Sequence, residues 1–296
     1  MSFAPAEYDF YGFSSRLTDA EKEVLVALRA FLDETVRPTV NGLWERGEMF
    51  GPEVHQGLAN LGIYGMAWDE TRRFENSAVF RGWVALELAR ADASVATLVG
   101  VQNGLAMGAI AACGSPEQRA EWLPRLASAE LLGAFGLTEP LSGSDSAQGL
   151  RTVARREGDT WVINGSKRWI GNGSIGDITV IWAKDEADGQ VKGFIVPQNS
   201  PGYHATSIAG KGSLRIIQNA DITLTDVVVP EANRLQNANS FRDTASVLRL
   251  TRAEVAWAAV GNSVGAYEAA VTYAKDRVQF GKPIASHQLI QELLAK

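Results

Sequence analysis

Apolar positions along the chain change texture twice. At Val24, Leu25, Leu28, Phe31, Leu32 and Val36 they recur at the spacing of one helical face. Thr18-Asp19-Ala20-Glu21, just ahead, has the form of a capping box, with Thr18 as N-cap and Glu21 reaching back. Ser115-Pro116-Glu117-Gln118 is a second helix start: a cap, a proline in the first turn and an acceptor at the third position. Between these starts, residues 77–90 and 94–112 are rich in Ala, Leu and Val with few turn signals, which predicts a pair of largely buried helices.

From about residue 131 to 232, β-branched residues, threonine and glycine rise. Thr152-Val153-Ala154-Arg155-Arg156 and Thr160-Trp161-Val162-Ile163 flank Glu157-Gly158-Asp159, a hairpin pattern. Residues 177–183, 191–197 and 222–229 are further strand-like runs, and Pro230 fits a strand exit. The last zone returns to helix. Residues 245–275 carry apolar side chains on several faces, 276–283 is a polar interruption, and a second helix begins near Ser286. Its Leu289, Ile290, Leu293 and Leu294 are in phase up to Lys296 with no C-cap glycine. Two helices alone leave an apolar face uncovered, so this zone reads as part of a larger bundle. The expected fold class is α+β: an N-terminal helical domain (1–130), a central β-barrel or sandwich domain (131–232) and the first part of a C-terminal helical bundle (233–296).

Composition narrows the function. The 296 residues are 46% hydrophobic and 21% charged, a globular balance with room for about two domains. Thirty-four acidic against 28 basic residues give a net charge of −6, which argues against nonspecific nucleic-acid binding. The one cysteine, Cys113, excludes an intrachain disulfide framework or zinc cluster, and the three histidines lie far apart. No membrane-spanning helix is expected. The opening MSFAPAEYDF lacks the basic-then-apolar order of a secretory signal, so a reducing, cytoplasmic location is expected.

Three segments carry candidate chemistry. Phe135-Gly136-Leu137-Thr138-Glu139-Pro140-Leu141-Ser142-Gly143-Ser144-Asp145 combines hydroxyl donors with a glycine that admits close backbone approach. Its plain alternative is a connector between domains. Lys167-Arg168-Trp169-Ile170-Gly171-Asn172-Gly173 can set an indole and free backbone N–H groups beside a planar ligand; the alternative is a core tryptophan followed by a turn. Arg277-Val278-Gln279-Phe280-Gly281-Lys282-Pro283 suits a phosphate or pyrophosphate; the alternative is a basic helix C-terminus complementing its dipole.

In this α–β–α order, GLTEP at 136–140, SGSD at 142–145, NGSKRWIGN at 164–172 and RVQFGKPIASHQLIQ at 277–291 resemble the acyl-CoA dehydrogenase family of flavoenzymes, closest to its glutaryl-CoA dehydrogenase-like subgroup, over residues 17–296. The resemblance implies FAD-dependent dehydrogenation of an acyl-CoA thioester between Cα and Cβ, with a carboxylate taking the α-proton and flavin N5 the β-hydride. It implies that Phe135, Leu137, Thr138 and Ser144 line the flavin, Ser144 also meeting CoA. Trp169, Ile170 and Gly171 would flank the ring. Arg277, Phe280 and Gln288 would act on FAD across a subunit interface. It also implies a homotetramer, an electron-transferring flavoprotein as acceptor, and Arg252 beside the acyl-CoA site; a helix-face salt bridge is the other role for Arg252.

Three departures stand out. Gly171 replaces a threonine whose hydroxyl bonds the flavin in many members. Ala96-Thr97 replaces the arginine-serine pair that receives a glutaryl carboxylate, so a non-dicarboxyl substrate is expected. The resemblance places the glutamate base in the last part of the bundle, after Lys296, so the sequence reads as C-terminally truncated. Some members place that base beside the arginine matching Arg252, where this chain has Thr251; Glu254 is expected on another helix face. A short form that binds FAD or acyl-CoA without turnover, or needs a partner chain, and an oxidase passing electrons to oxygen are the alternatives.

Overall fold

The computed structural model describes residues 9–296, so the non-secretory reading of the opening residues falls mostly outside it. The first zone is helical throughout. Its elements are α1 (Asp19–Phe31), α2 (Arg37–Arg46), α3 (Pro52–Asn60), α4 (Ala78–Ala91), α5 (Ala93–Val99), α6 (Gly108–Cys113) and α7 (Pro116–Ala127). Both capping boxes form: Thr18 N–H donates to the Glu21 carboxylate at 2.8 Å and Glu21 N–H to Thr18 Oγ1 at 3.2 Å, and Ser115 and Gln118 do the same ahead of α7. Asp92, at φ −167°, breaks α4 from α5 and caps α5 through Ser94 N–H. Leu25, Leu28, Leu32, Leu58, Phe80 and Val84 meet in one buried cluster that holds these helices together.

α5 continues through a π-helical stretch, Gly100–Met107, into α6. This run, Ala93–Cys113, is long and apolar enough to cross a membrane by length and composition alone. Here 61% of its most apolar window is buried inside the protein, where it serves as a core helix.

The middle zone is a seven-stranded sheet built from β1 (Gly133–Gly136), β2 (Val153–Glu157), β3 (Thr160–Gly171), β4 (Ile178–Asp185), β5 (Val191–Pro197), β6 (Tyr203–Ser207) and β7 (Asn219–Pro230), with a one-turn helix α8 (Ser146–Gly149) between β1 and β2. The order is β1-β4-β2-β3-β7-β6, with β5 on β4. The hairpin at Gly158 (φ 61°) forms as its sequence predicts, and β7 ends at Pro230. β1 and β6 were not legible: β1 is a fully buried four-residue run parallel to β4, and β6 is a mostly exposed polar edge. β3 slips register against β7 between Lys167 and Ile170, and that bulge turns Arg168 and Trp169 out of the ladder.

The third zone is α9 (Phe241–Asp276), a short ribbon of β8 (Val278–Gln279) and β9 (Lys282–Pro283), and α10 (Gln288–Ala295). α9 begins four residues before the apolar pattern predicts, because Ser240 and Asp243 make a capping box there. It crosses α4 closely. A Cβ at Gly261 would overlap the Leu86 carbonyl, and one at Gly265 the Arg90 carbonyl. Backbone cannot yield there as a flexible side chain does, so Gly261→Ala is expected to cost about 1–3 kcal/mol, read as a lower urea midpoint at unchanged slope.

Candidate active site

Two of the candidate segments lie side by side. Arg168 N–H donates to the Thr138 carbonyl at 2.9 Å, and the ammonium of Lys167 donates to the Leu137 carbonyl at 3.3 Å. The joint is pinned from beneath by Glu139. Its carboxylate accepts from Lys167 Nζ at 2.8 Å, Thr152 N–H at 3.0 Å, Thr152 Oγ1 at 2.6 Å and Arg151 N–H at 2.7 Å. Lys167 is fully buried and Glu139 is 5% exposed. Burial pulls the Lys167 ammonium down to about 8 against the attraction of Glu139. At Glu139 burial pushes upward, but the Lys167 charge and the hydrogen bonds win and hold its carboxyl below the usual range.

Above this pin the backbone is strained. Trp169 (φ 62°) and Asn172 (φ 61°) both occupy the left-handed region, which disfavours residues with a Cβ. Asn172 is fixed on every side: its N–H donates to the Gln218 carbonyl at 3.0 Å, its amide to the Gly133 carbonyl at 3.1 Å, and its carbonyl accepts from Gln198 at 2.8 Å. The Trp169 carbonyl accepts from Asn219 at 3.2 Å. Trp169 itself is 50% exposed, with the Arg168 guanidinium 5.6 Å from its ring centre. A core tryptophan is therefore not its role. Ile170 is buried, and a Cβ on Gly171 would lie 3.1 Å from Val101.

Phe135 and Leu137 turn their side chains into the core, Phe135 against Trp182 at 5.9 Å, so a ligand would meet their backbone. β1 is the edge strand, and its outer backbone groups are not engaged in the sheet. Ser144 sits exposed at the tip of a loop folded by its neighbours: Ser142 Oγ donates to the Asp145 carbonyl at 3.0 Å and Ser146 Oγ to the Gly143 carbonyl at 2.7 Å. Together these residues form a shelf with an exposed indole and, at one edge, a hydroxyl without a protein partner among the described residues.

A cavity of about 410 Å³ opens beside the shelf, between α4, the α5–α6 run and α9. Ala96 and Thr97 line it, as do Val101, Gly104's neighbours Asn103 and Leu105, and Thr251. Val101 thus borders both cavity and Gly171. Arg252 does not line the cavity; it is exposed on α9 and forms no ion pair among the described residues. Glu254 does line it. The expectation that Glu254 faces elsewhere counted from Arg252, whereas Thr251 is the residue that faces inward, and three residues on is the same face. Arg81, also missed, lines the cavity from α4. Arg81 is a lone charge in the apolar first turns of α4, the signal that could have found it.

Arg277, Phe280 and Gln288 are exposed and packed around the end of α9, with Phe280 93% exposed at φ 53°. From Asn262, the last cavity residue on α9, the helical rise to Arg277 is roughly 22 Å. None of these three lines the cavity.

The chain matches the family models described as acyl-CoA dehydrogenase N-terminal domain over residues 18–130, middle domain over 134–227 and C-terminal domain over 241–296. It is 33% identical over 273 residues to an acyl-CoA dehydrogenase of Bacillus subtilis (strain 168), covering 90% of this chain and 72% of that one. It is 34% identical over 284 residues to the mitochondrial short-chain specific acyl-CoA dehydrogenase of Mus musculus, covering 93% of this chain but 65% of that protein. A glutaryl-CoA dehydrogenase from Mycobacterium smegmatis, solved in complex with FADH2, superposes with a TM-score of 0.91 at 35% identity, covering 99% of this chain and 75% of that one. With these matches running through all three zones, the chain belongs to the acyl-CoA dehydrogenase family.

Proposed function

We propose that this chain binds FAD on the shelf and dehydrogenates an acyl-CoA thioester between Cα and Cβ. The observation that carries the reading is the strained, half-exposed Trp169 beside Gly171, with the apolar cavity opening directly past Val101. Trp169, Ile170 and Gly171 would flank the ring. The backbone of Phe135 and Leu137, with Thr138 and the Ser144 hydroxyl, would hold its polar edge. When bound, FAD supplies the acceptor for the β-hydride. The protein positions the thioester, excludes water and polarises the carbonyl so that a carboxylate base can take the α-proton.

The proposed roles divide along the three zones, 1–130, 131–232 and 233–296. The first and last, with Leu214 of the middle zone, wall the acyl cavity, and the middle one builds the shelf. Ser144 and Arg252 would meet the CoA portion, both side chains being exposed. Arg277, Phe280 and Gln288 would serve a neighbouring copy in a homotetramer, since Arg277 lies roughly 22 Å along α9 from the last cavity residue on that helix. An electron-transferring flavoprotein is the proposed acceptor of the electrons. Ala96 and Thr97 offer no cation to a distal carboxylate, and Thr97 Oγ1 is already spent on the Ala93 carbonyl at 2.8 Å, so the acyl group is proposed to be non-dicarboxyl.

The test is titration of the purified chain with FAD, followed by acyl-CoA turnover against a dye acceptor. Trp169→Ala is expected to weaken FAD binding about tenfold, the worth of one stacked aromatic contact. Absence of FAD binding by the intact chain would refute the reading.

A further inference from the structure

The cavity wall is Val, Leu, Ala and Met apart from a few polar groups, and two of those are ionisable: Arg81 and Glu254. Neither is exposed, yet no ion pair joins them. The Glu254 carboxylate has no hydrogen-bond partner among the described residues. Burial raises its pKa, and the Arg81 charge offsets that only in part. Arg81 is held from one end. Its Nη1 donates to Asn76 Oδ1 at 2.9 Å and to the Asn76 carbonyl at 3.3 Å, while Asn76 is itself fixed by donating to the Met66 carbonyl at 2.8 Å. Nε and Nη2 of Arg81 are left without a protein acceptor. Asn76 is therefore a positioning residue for a guanidinium aimed at the cavity.

The place is defined as well. Glu254 Oε2 lies 3.5 Å from where a Cβ on Gly104 would stand, and Gly104 is three residues past Val101, the residue that abuts Gly171. Glu254 thus sits roughly one helical turn, about 5 Å, along the wall from Val101, and Arg81 lines the same cavity from α4. That is acyl-chain territory.

Three kinds of chain can be weighed against this pair. A plain hydrocarbon would cover both charged groups and satisfy neither. A carboxylate would satisfy Arg81 and be repelled by Glu254. A hydroxyl or primary amide accepts from the guanidinium and donates to the carboxylate, satisfying both at once. We propose that the cavity selects acyl thioesters whose chain carries a neutral group able both to accept and to donate a hydrogen bond, placed between Arg81 and Glu254. This rests on the acyl-CoA reading above and narrows its substrate class.

The experiment is calorimetric titration of the intact, FAD-loaded protein with CoA thioesters of one chain length bearing a terminal methyl, hydroxyl, carboxamide or carboxylate, repeated at a second length. The hydroxyl or carboxamide thioester is expected to bind on the order of tenfold to a hundredfold more tightly than the other two, the range of one hydrogen bond to a charged group. Arg81→Met and Glu254→Leu should each collapse that ratio to about one. Glu254→Leu should also raise the unfolding temperature, since it removes a buried carboxylate with no partner. Equal binding of all four thioesters overturns the inference and leaves the acyl-CoA reading standing; failure of every thioester to bind overturns both. If Glu254→Gln abolishes turnover of all four alike while the binding ratio persists, Glu254 is a proton acceptor and the selection role is refuted.

Discussion

Glu87→Leu is expected to lower the unfolding free energy by about 3–5 kcal/mol, the cost of breaking a buried ion pair from one side. Glu87 has no exposed surface. Its carboxylate accepts from Arg29 Nε at 3.0 Å, from Arg29 Nη2, and from Arg90 Nε at 2.9 Å. Arg90 is 6% exposed and carries the network outward, to Asp33 at 2.9 and 3.2 Å and to Glu268 at 2.9 Å. These five side chains tie α1 and the π-turn after it to α4 and α9. Without Glu87, the buried Nε of Arg90 is left with nothing to accept its proton. Asp33→Asn should cost far less, under about 1 kcal/mol, because its carboxylate is 40% exposed and water replaces the pair. Urea denaturation checks both without screening the charges. Equal losses for the two variants would mean that burial does not govern this network.

Most of the architecture was legible because local chemistry and packing agree. Thr18 with Glu21, and Ser115 with Gln118, announce helix starts through groups only a few residues apart, and the hairpin at Gly158 needs a left-handed residue that the sequence supplies. What escaped was set by distant partners. Gly133–Gly136 becomes a strand only because β4 pairs with it, and nothing in its four residues alternates. Glu87 and Arg90 were lost inside a run read as apolar, since a charge is tolerable there only when Arg29 and Asp33, more than fifty residues away, complete it. The candidate site divides the same way. Motif strings locate Trp169, Gly171 and Ser144, but the exposure of the indole and the inward aim of Glu254 depend on the crossing of β3, the α5–α6 run and α9.

Lys167→Met is expected to cost about 3–5 kcal/mol and, unlike the Glu87 substitution, to weaken FAD binding as well. The ammonium uses all its donors: Glu139 at 2.8 Å, the Trp182 carbonyl at 2.7 Å and the Leu137 carbonyl at 3.3 Å. It therefore joins β3 to β4 and to the loop that carries Thr138, next to the Arg168–Thr138 hydrogen bond on which the shelf is built. A methionine fills the volume but leaves Glu139 with only Thr152 and Arg151 to balance it. The pH dependence has a definite sign. The Glu139 carboxyl is held below its unfolded value of 4.5, so its contribution is complete above that value and drains away as pH falls through the lower folded one. Lys167 at about 8, below its unfolded 10.5, adds a slope of the same sign on the alkaline side: stability contributed by this group rises between those values rather than falling. Urea midpoints measured from about pH 6 down to pH 3 should thus fall more steeply for the native protein than for Lys167→Met, in which the depression of Glu139 is relieved. A variant with native FAD affinity and a native acid slope would show that Thr152 and the backbone of Arg151 suffice to hold Glu139, and that the shelf does not depend on the buried lysine.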